Sequence, residues 1–261
     1  MLRQLAMTLP IFLEFETVSS TNDVALDLAR NGAPEGTAVI ARSQTAGRGR
    51  RGRRWIDEPG QSVLVSIVLR PNLVPDRVYE LSFVASLAVA QYLESEFNLG
   101  AAIKWPNDVI VNTKKICGIL VETEAARAGA AAVVGIGVNV NQTGFSPEIS
   151  DIATSIALET GSKQDVRTVT EKVSIALLEC YDAYKSKGFK STLSQWREYM
   201  YGVGRDAEVR TGNNVICGKV LGVNEQGALL LGDASCVHEI SWADDVSLHP
   251  ASNYEIGGND G

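Results

Sequence analysis

Apolar and polar positions alternate along this chain with two different periods. The first is helical. Thr21–Asn31 repeats its apolar residues at helical spacing behind a Ser/Thr start and ends at Asn31-Gly32, which predicts a capped amphipathic helix. Asp76–Phe97 carries Leu81, Val84, Ala85, Ala88, Val89, Tyr92 and Leu93 at the same spacing, predicting a long helix packed on a core. Further helices are expected around Ile152–Glu159, Thr168–Ser186 and Lys190–Met200. The second texture is extended. Thr37–Arg42 and Ser62–Leu69 are rich in β-branched residues and bounded by turn formers. Ala101–Trp105, Val109–Asn112, Ile116–Glu124 and Ala131–Asn139 read the same way, and Leu5–Leu13 leads into a first strand. From Gly204 to Leu248 the runs become short and alternating, punctuated by Gly212-Asn213-Asn214 and Asn224-Glu225-Gln226-Gly227. The pattern predicts an α+β domain over residues 1–203, a mixed β-sheet with helices packed on one face. A small β-barrel over 204–249 and a loose tail over 250–261 complete it.

Between Arg42 and Ser62 this patterning stops for about 18 residues, a length that is uncommon inside a compact domain unless it is functional or disordered. Charge sharpens the point. The net charge is −7, yet residues 42–54 hold six arginines and no acid. An acidic remainder argues against general nucleic-acid affinity and leaves the cationic character in one place.

Gly47-Arg48-Gly49-Arg50-Arg51-Gly52 has the outline of a dinucleotide fingerprint, which must open a helix so that its N-terminus meets the pyrophosphate. Trp55-Ile56-Asp57-Glu58-Pro59-Gly60 follows instead, so that reading fails. Gly212 and Gly218-Lys219 fail as a phosphate loop because the spacing is wrong and Val220 stands where a hydroxyl is required. Three readings of the arginine loop remain open on its residues: a solvated surface loop, a single-strand nucleic-acid patch, and a lid whose arginines and amides close on an anionic ligand.

Taken together, Ser20-Thr21-Asn22, Gln44 through Trp55, Lys104-Trp105-Pro106-Asn107-Asp108, Lys115 through Glu122 and Gly135 through Asn139 resemble the biotin protein ligase family in order and spacing. The resemblance covers nearly the whole chain, its last part matching that family's SH3-like C-terminal domain. It implies a class II synthetase-like catalytic domain that joins biotin to ATP. Biotinyl-5′-AMP would form, and the biotinyl group would pass to one lysine of a biotin carboxyl carrier domain of acetyl-CoA carboxylase or a related carboxylase. By the same resemblance Lys115 and Arg50 are the catalytic residues. Biotin would be held by Ser20, Thr21, Asn22, Gln44, Gly47, Arg48, Gly49, Arg50, Lys115, Gly118 and Leu120. ATP and the adenylate would be held by Arg50, Arg51, Trp55, Asn107, Lys115 and Asn139, with Asp108 near the phosphates or their Mg²⁺. Cys117 departs from the small residue expected at its position and reads as a buried hydrophobe.

The chemistry agrees with that implication. A carboxylate attacking an α-phosphate brings anion to anion, so positive charge and alignment matter more than an acid or a base. Neighbouring strand residues face opposite ways, so of Lys114 and Lys115 only one can enter the site. The four cysteines and two histidines offer no metal-ligand spacing and no His-based triad. Their usage, with no apolar run near membrane-spanning length, favours a cytoplasmic protein without a membrane partner. Only 19 residues precede Ser20, too few for a winged-helix DNA-binding domain, so no such domain and no DNA partner are expected. Monomer and homodimer both stay open. A lipoate ligase, sharing fold and adenylate chemistry, is the nearest rival, and an RNA-binding module is the more distant one.

Overall fold

The computed structural model describes residues 9–71, 75–126 and 129–248. The expected tail, His249 and the start of the Leu5–Leu13 run lie outside them. The chain divides into two units at the Tyr199–Met200 boundary.

The first unit is built on a seven-stranded sheet. Its strands are β1 (Ile11–Val18), β2 (Thr37–Gln44), β3 (Ser62–Leu69), β4 (Ala101–Lys104), β5 (Asp108–Val111), β6 (Lys114–Ala126) and β7 (Gly129–Asn139), in the order β1-β2-β3-β7-β6-β5-β4. Only β1 and β2 run parallel; every other neighbour pair is antiparallel. All eight residues of β3 are buried, so both faces of the sheet are covered at its centre. Fully burying each such Val, Leu or Ile contributes about 1.5–3 kcal/mol.

The two faces are covered differently. Helix α1 (Thr21–Arg30) lays Ala25 and Ala29 on Val39, Val68, Ala131 and Val133. Strand alternation sends Ala132, Val134, Ile136 and Val138 to the opposite face. There α2 (Glu80–Phe97) and α4 (Val166–Lys187) pack on the sheet and on each other, with α5 (Phe189–Glu198) against both. Helix α2 is buried over most of Glu80–Leu93, and polar groups there are paired: Trp196 Nε1 donates to Ser86 Oγ at 2.9 Å, and Arg77 Nε donates to the buried Glu80 at 2.6 Å.

Two expected helices begin later than their apolar spacing suggests. Residues 75–77 form a separate 3₁₀ turn before α2 starts at Glu80. Within the expected Ile152–Glu159 helix, only α3 (Ile156–Thr160) is helical. Ser155 caps it by accepting from the Leu158 amide, and Ala153 instead bridges to Lys115. A local bond to β6 outcompetes the helix there.

The second unit is a five-stranded antiparallel sheet of β8 (Asp206–Thr211), β9 (Asn214–Val223), β10 (Leu229–Gly232), β11 (Val237–Ile240) and β12 (Asp245–Leu248), in the order β11-β10-β9-β8-β12. Among the described residues it is an open sheet rather than the expected closed barrel, because its end strands, four residues each, pair only inward. It must nevertheless curl. A flat sheet would hold β11 and β12 about 19 Å apart, while the five chain steps from Ile240 to Asp245 reach at most about 18 Å. A bulge between Leu230 and Leu231 supplies local bending. Among the described residues, no helix is long and apolar enough to cross a membrane.

Candidate active site

Ser20, Thr21 and Asn22 are buried at the start of α1. Ser20 stands at the N-cap with extended backbone, yet its hydroxyl makes no capping bond. The cap comes from elsewhere: Gln44, at the end of β2, accepts from the Thr21 amide at 2.8 Å and from its hydroxyl at 3.1 Å. Asn22 Nδ2 donates to Glu122 at 2.7 Å and lies 3.5 Å from the Leu120 carbonyl. Beneath them sits Ser66 on β3, wholly buried, its Oγ 2.5 Å from Asn22 Oδ1 and 2.7 Å from Thr21 Oγ1. Ser66 was missed in the sequence, although a hydroxyl in the middle of VLVSIVL was its signal.

The arginine loop folds back on itself. Arg48 and Arg54 form an antiparallel bridge, the Gly49 amide donates to the Arg53 carbonyl at 2.7 Å, and the Trp55 amide donates to the Gly47 carbonyl at 3.0 Å. Residues 50–52 make the tip, where Arg51 adopts a left-handed φ of 58° and Gly52 one of 73°. At its base the Trp55 indole lies on the sheet. A Cβ added to Gly137 would stand 2.6 Å from that ring, and one added to Gly118 would stand 3.0 Å from it. Likewise a Cβ on Gly135 would meet Asn22 Oδ1 at 2.2 Å. These three glycines therefore admit Trp55 and Asn22 to the sheet.

The arginines divide their work. Arg48 faces acids of the chain itself, Asp23 on α1 at 2.5 Å and Glu122 on β6 at 2.7 Å, and so ties the loop down across the sheet. Arg50 Nη1 donates to Asn107 Oδ1 at 2.9 Å. Asn107 in turn is fixed by its Nδ2 donating to the Ile119 carbonyl at 2.8 Å.

Lys115 reaches the same face through a register fault. β5 pairs Val109 with Cys117 but Ile110 with Lys115, which leaves Ile116 without a partner on that side. Strict alternation would set Lys115 opposite to Gly118. With the extra residue, Ile116 and Cys117 both turn into the core at 0% exposure, and Lys115 Nζ comes within 3.2 Å of the Cβ position of Gly118. Burial pushes the Cys117 thiol far up, so it is no nucleophile. Lys115 Nζ is ion-paired with Asp108 at 2.7 Å and lies 6.0 Å from the Trp55 ring. Lys114 turns away, its Nζ 3.4 Å from the Ser150 carbonyl.

The backbone of Lys115 is held on its outer side too. Its amide donates to Ile152 and its carbonyl accepts from Thr154. Asn139 secures that segment, with Nδ2 donating to the Thr154 carbonyl at 2.9 Å in a buried setting. This gives Asn139 a supporting position behind Lys115.

One sheet face thus carries uncharged donors and acceptors over the Leu120–Gly135 pair and cations by Gly118. Two strand residues, about 7 Å, separate the ends. Such a slot suits a ligand that is neutral and polar at one end and anionic at the other. For a divalent cation the cationic end of the slot offers the carboxylate of Asp108, already ion-paired with Lys115. That donor set fits Mg²⁺ only as an ion carried largely by phosphate oxygens and water.

The chain is similar to known proteins over most of its length. Residues 14–139 match the biotin/lipoate A/B protein ligase family. The chain is 38% identical over 232 residues to the bifunctional ligase/repressor BirA of Bacillus spizizenii, covering 88% of this chain and 71% of that protein. It is 36% identical over 218 residues to the biotin–[acetyl-CoA-carboxylase] ligase of Paracoccus denitrificans, covering 81% of this chain and 90% of the other. In structure it resembles the biotin protein ligase of Aquifex aeolicus in complex with biotin and ATP, with a TM-score of 0.80, 31% identity, and coverage of 92% and 99% of the two chains. The chain belongs to the biotin protein ligase family.

Proposed function

We propose that this chain is an ATP-dependent biotin–protein ligase acting on a biotin carboxyl carrier domain. The observation that carries the reading is the bulge at Ile116, which brings the Lys115 ammonium to the slot that the arginine loop covers. Thr21, Asn22 and Gln44, with Ser66 behind them, offer neutral hydrogen bonds to the ureido ring of biotin. Lys115 and Arg50 meet the carboxylate and the α-phosphate. In the first step a biotin carboxylate oxygen attacks the α-phosphorus, and the bond to the β-phosphate oxygen breaks to release pyrophosphate. Lys115 lies where both anions must converge, so its charge offsets their repulsion as it builds. In the second step the acceptor lysine amine attacks the acyl carbon and AMP leaves. Between the steps the closed loop keeps water from the mixed anhydride.

Mg²⁺, arriving on the nucleotide phosphates, would screen their charge, with Asp108 as the nearest carboxylate. The reaction is placed in the cytosol, where ATP and reduced thiols coexist, and the free cysteines Cys117, Cys180, Cys217 and Cys236 suit that setting. Purified carrier domain incubated with the enzyme, biotin and ATP should gain one biotinyl group, and Lys115→Ala should abolish the gain. Labelling by Lys115→Ala at the wild-type rate would refute the assignment, and equal use of lipoate would favour the sister activity.

A further inference from the structure

The cysteine and histidine spacings argue against a metal site in the sequence, but the fold of the second unit gathers three ligand types on one hairpin. Gly232 pairs with Val237, so β10 and β11 are joined by the four-residue loop Asp233-Ala234-Ser235-Cys236. His238 follows on β11 and turns back over that loop. His238 Nε2 lies 2.8 Å from Asp233 Oδ2 and 3.4 Å from Cys236 Sγ, and that sulfur lies 4.0 Å from the same carboxylate oxygen.

We propose that Asp233, Cys236 and His238 form a three-ligand site for a zinc-class divalent cation, with its fourth position open to water. Tetrahedral zinc with bonds of about 2.0–2.3 Å holds its ligand atoms about 3.3–3.6 Å apart. The three observed separations scatter around that range, each within about 0.7 Å of it. Carboxylate, thiolate and imidazole together favour zinc and its first-row neighbours over magnesium or calcium.

The loop prepares this arrangement. Asp233 Oδ1 accepts from the Ser235 amide and hydroxyl, each at 2.7 Å, and from the Cys236 amide at 2.8 Å. The other oxygen, Oδ2, is thereby aimed at His238. Asp233 and Cys236 are exposed and His238 is half-buried, which leaves the ion a direct path in. Among the described residues this is the one such grouping of His, Cys, Asp and Glu. A bound ion would clip the turn and the first residues of β11 together. The site lies in the second unit and is independent of the ligase reading.

Cobalt titration of the full-length reduced protein tests it, because Co²⁺ replaces zinc and reports thiolate ligation by a sulfur-to-metal charge-transfer band. The band should saturate at one ion per chain, disappear on adding zinc, and be lost in both Cys236→Ser and His238→Gln. It should survive Cys217→Ser. Absence of the band in the wild-type protein would overturn the proposal. So would a band that persists in Cys236→Ser, or one that His238→Gln leaves unchanged, since a single thiolate would then suffice.

Discussion

At the scale of single residues, the site depends on side chains that never need to touch a substrate. Ser66 holds the amide oxygen of Asn22 in a buried place, and Ser66→Ala leaves that acceptor without its donor. The expected cost is about 1–3 kcal/mol. It should appear as a lower midpoint in thermal denaturation together with weaker biotin binding in calorimetry. Unchanged values for both would remove Ser66 from the account. Asp57, at the base of the arginine loop, behaves in the opposite way. Burial pushes its carboxyl up, against a backbone hydrogen bond at Gln44 that favours the ionised form. A raised acid supports the fold while protonated, and that support is lost as pH climbs through its folded value. Asp57→Asn should therefore match the wild-type protein in acid and be more stable at neutral pH. The gain should be modest, because Asp57 is only half-buried and solvent screens its charge. Denaturation midpoints compared across pH would check both the sign and the crossover.

At the scale of elements, the arginine loop is a hairpin latched to its surroundings by Arg48. Asp23 and Glu122 receive that guanidinium from two different elements, one on each side of Asn22. All three side chains are about a third exposed, so each pair contributes only about 0.2–1 kcal/mol. Arg48→Ala should then speed the escape of biotinyl-adenylate by about 2- to 30-fold while leaving the first chemical step nearly intact. A filter-release measurement on the preformed intermediate would test this, and an unchanged release rate would mean that the loop is held by other contacts. Much of this level could be read in advance. The strands Thr37–Arg42 and Ser62–Leu69 and the helix after Ser20 carried their periods plainly. The bulge at Ile116 could not be read, because Lys114, Lys115 and Ile116 look alike under either register. Only the pairing of Val109 and Ile110 across β5 decides which lysine enters. Nor did the glycines at 118, 135 and 137 declare their neighbours, since a missing side chain says nothing about what fills the space.

At the scale of the whole molecule, one sheet is used for two purposes. Its far face makes the core with α2 and α4, and its near face carries a slot whose polarity changes from neutral to cationic within two residues of strand. The sequence changes texture near residue 204, and the described structure carries a five-stranded antiparallel sheet from Asp206 to Leu248. Closure of that unit was beyond the sequence, because it depends on whether two four-residue strands pair, and here they sit at opposite ends of one curled sheet. The Asp233–Cys236–His238 grouping was hidden for a similar reason: its ligand spacing comes from hairpin geometry and not from a repeat. If Lys115 on the near face offsets the charge of two meeting anions, its loss should slow the first step. Biotin-dependent exchange of labelled pyrophosphate into ATP isolates that step from transfer to any acceptor. Wild-type protein should catalyse the exchange with biotin, and Lys115→Ala should be slower by about 10²–10³-fold. Exchange that proceeds equally well in Lys115→Ala, with the fold intact, would contradict the account.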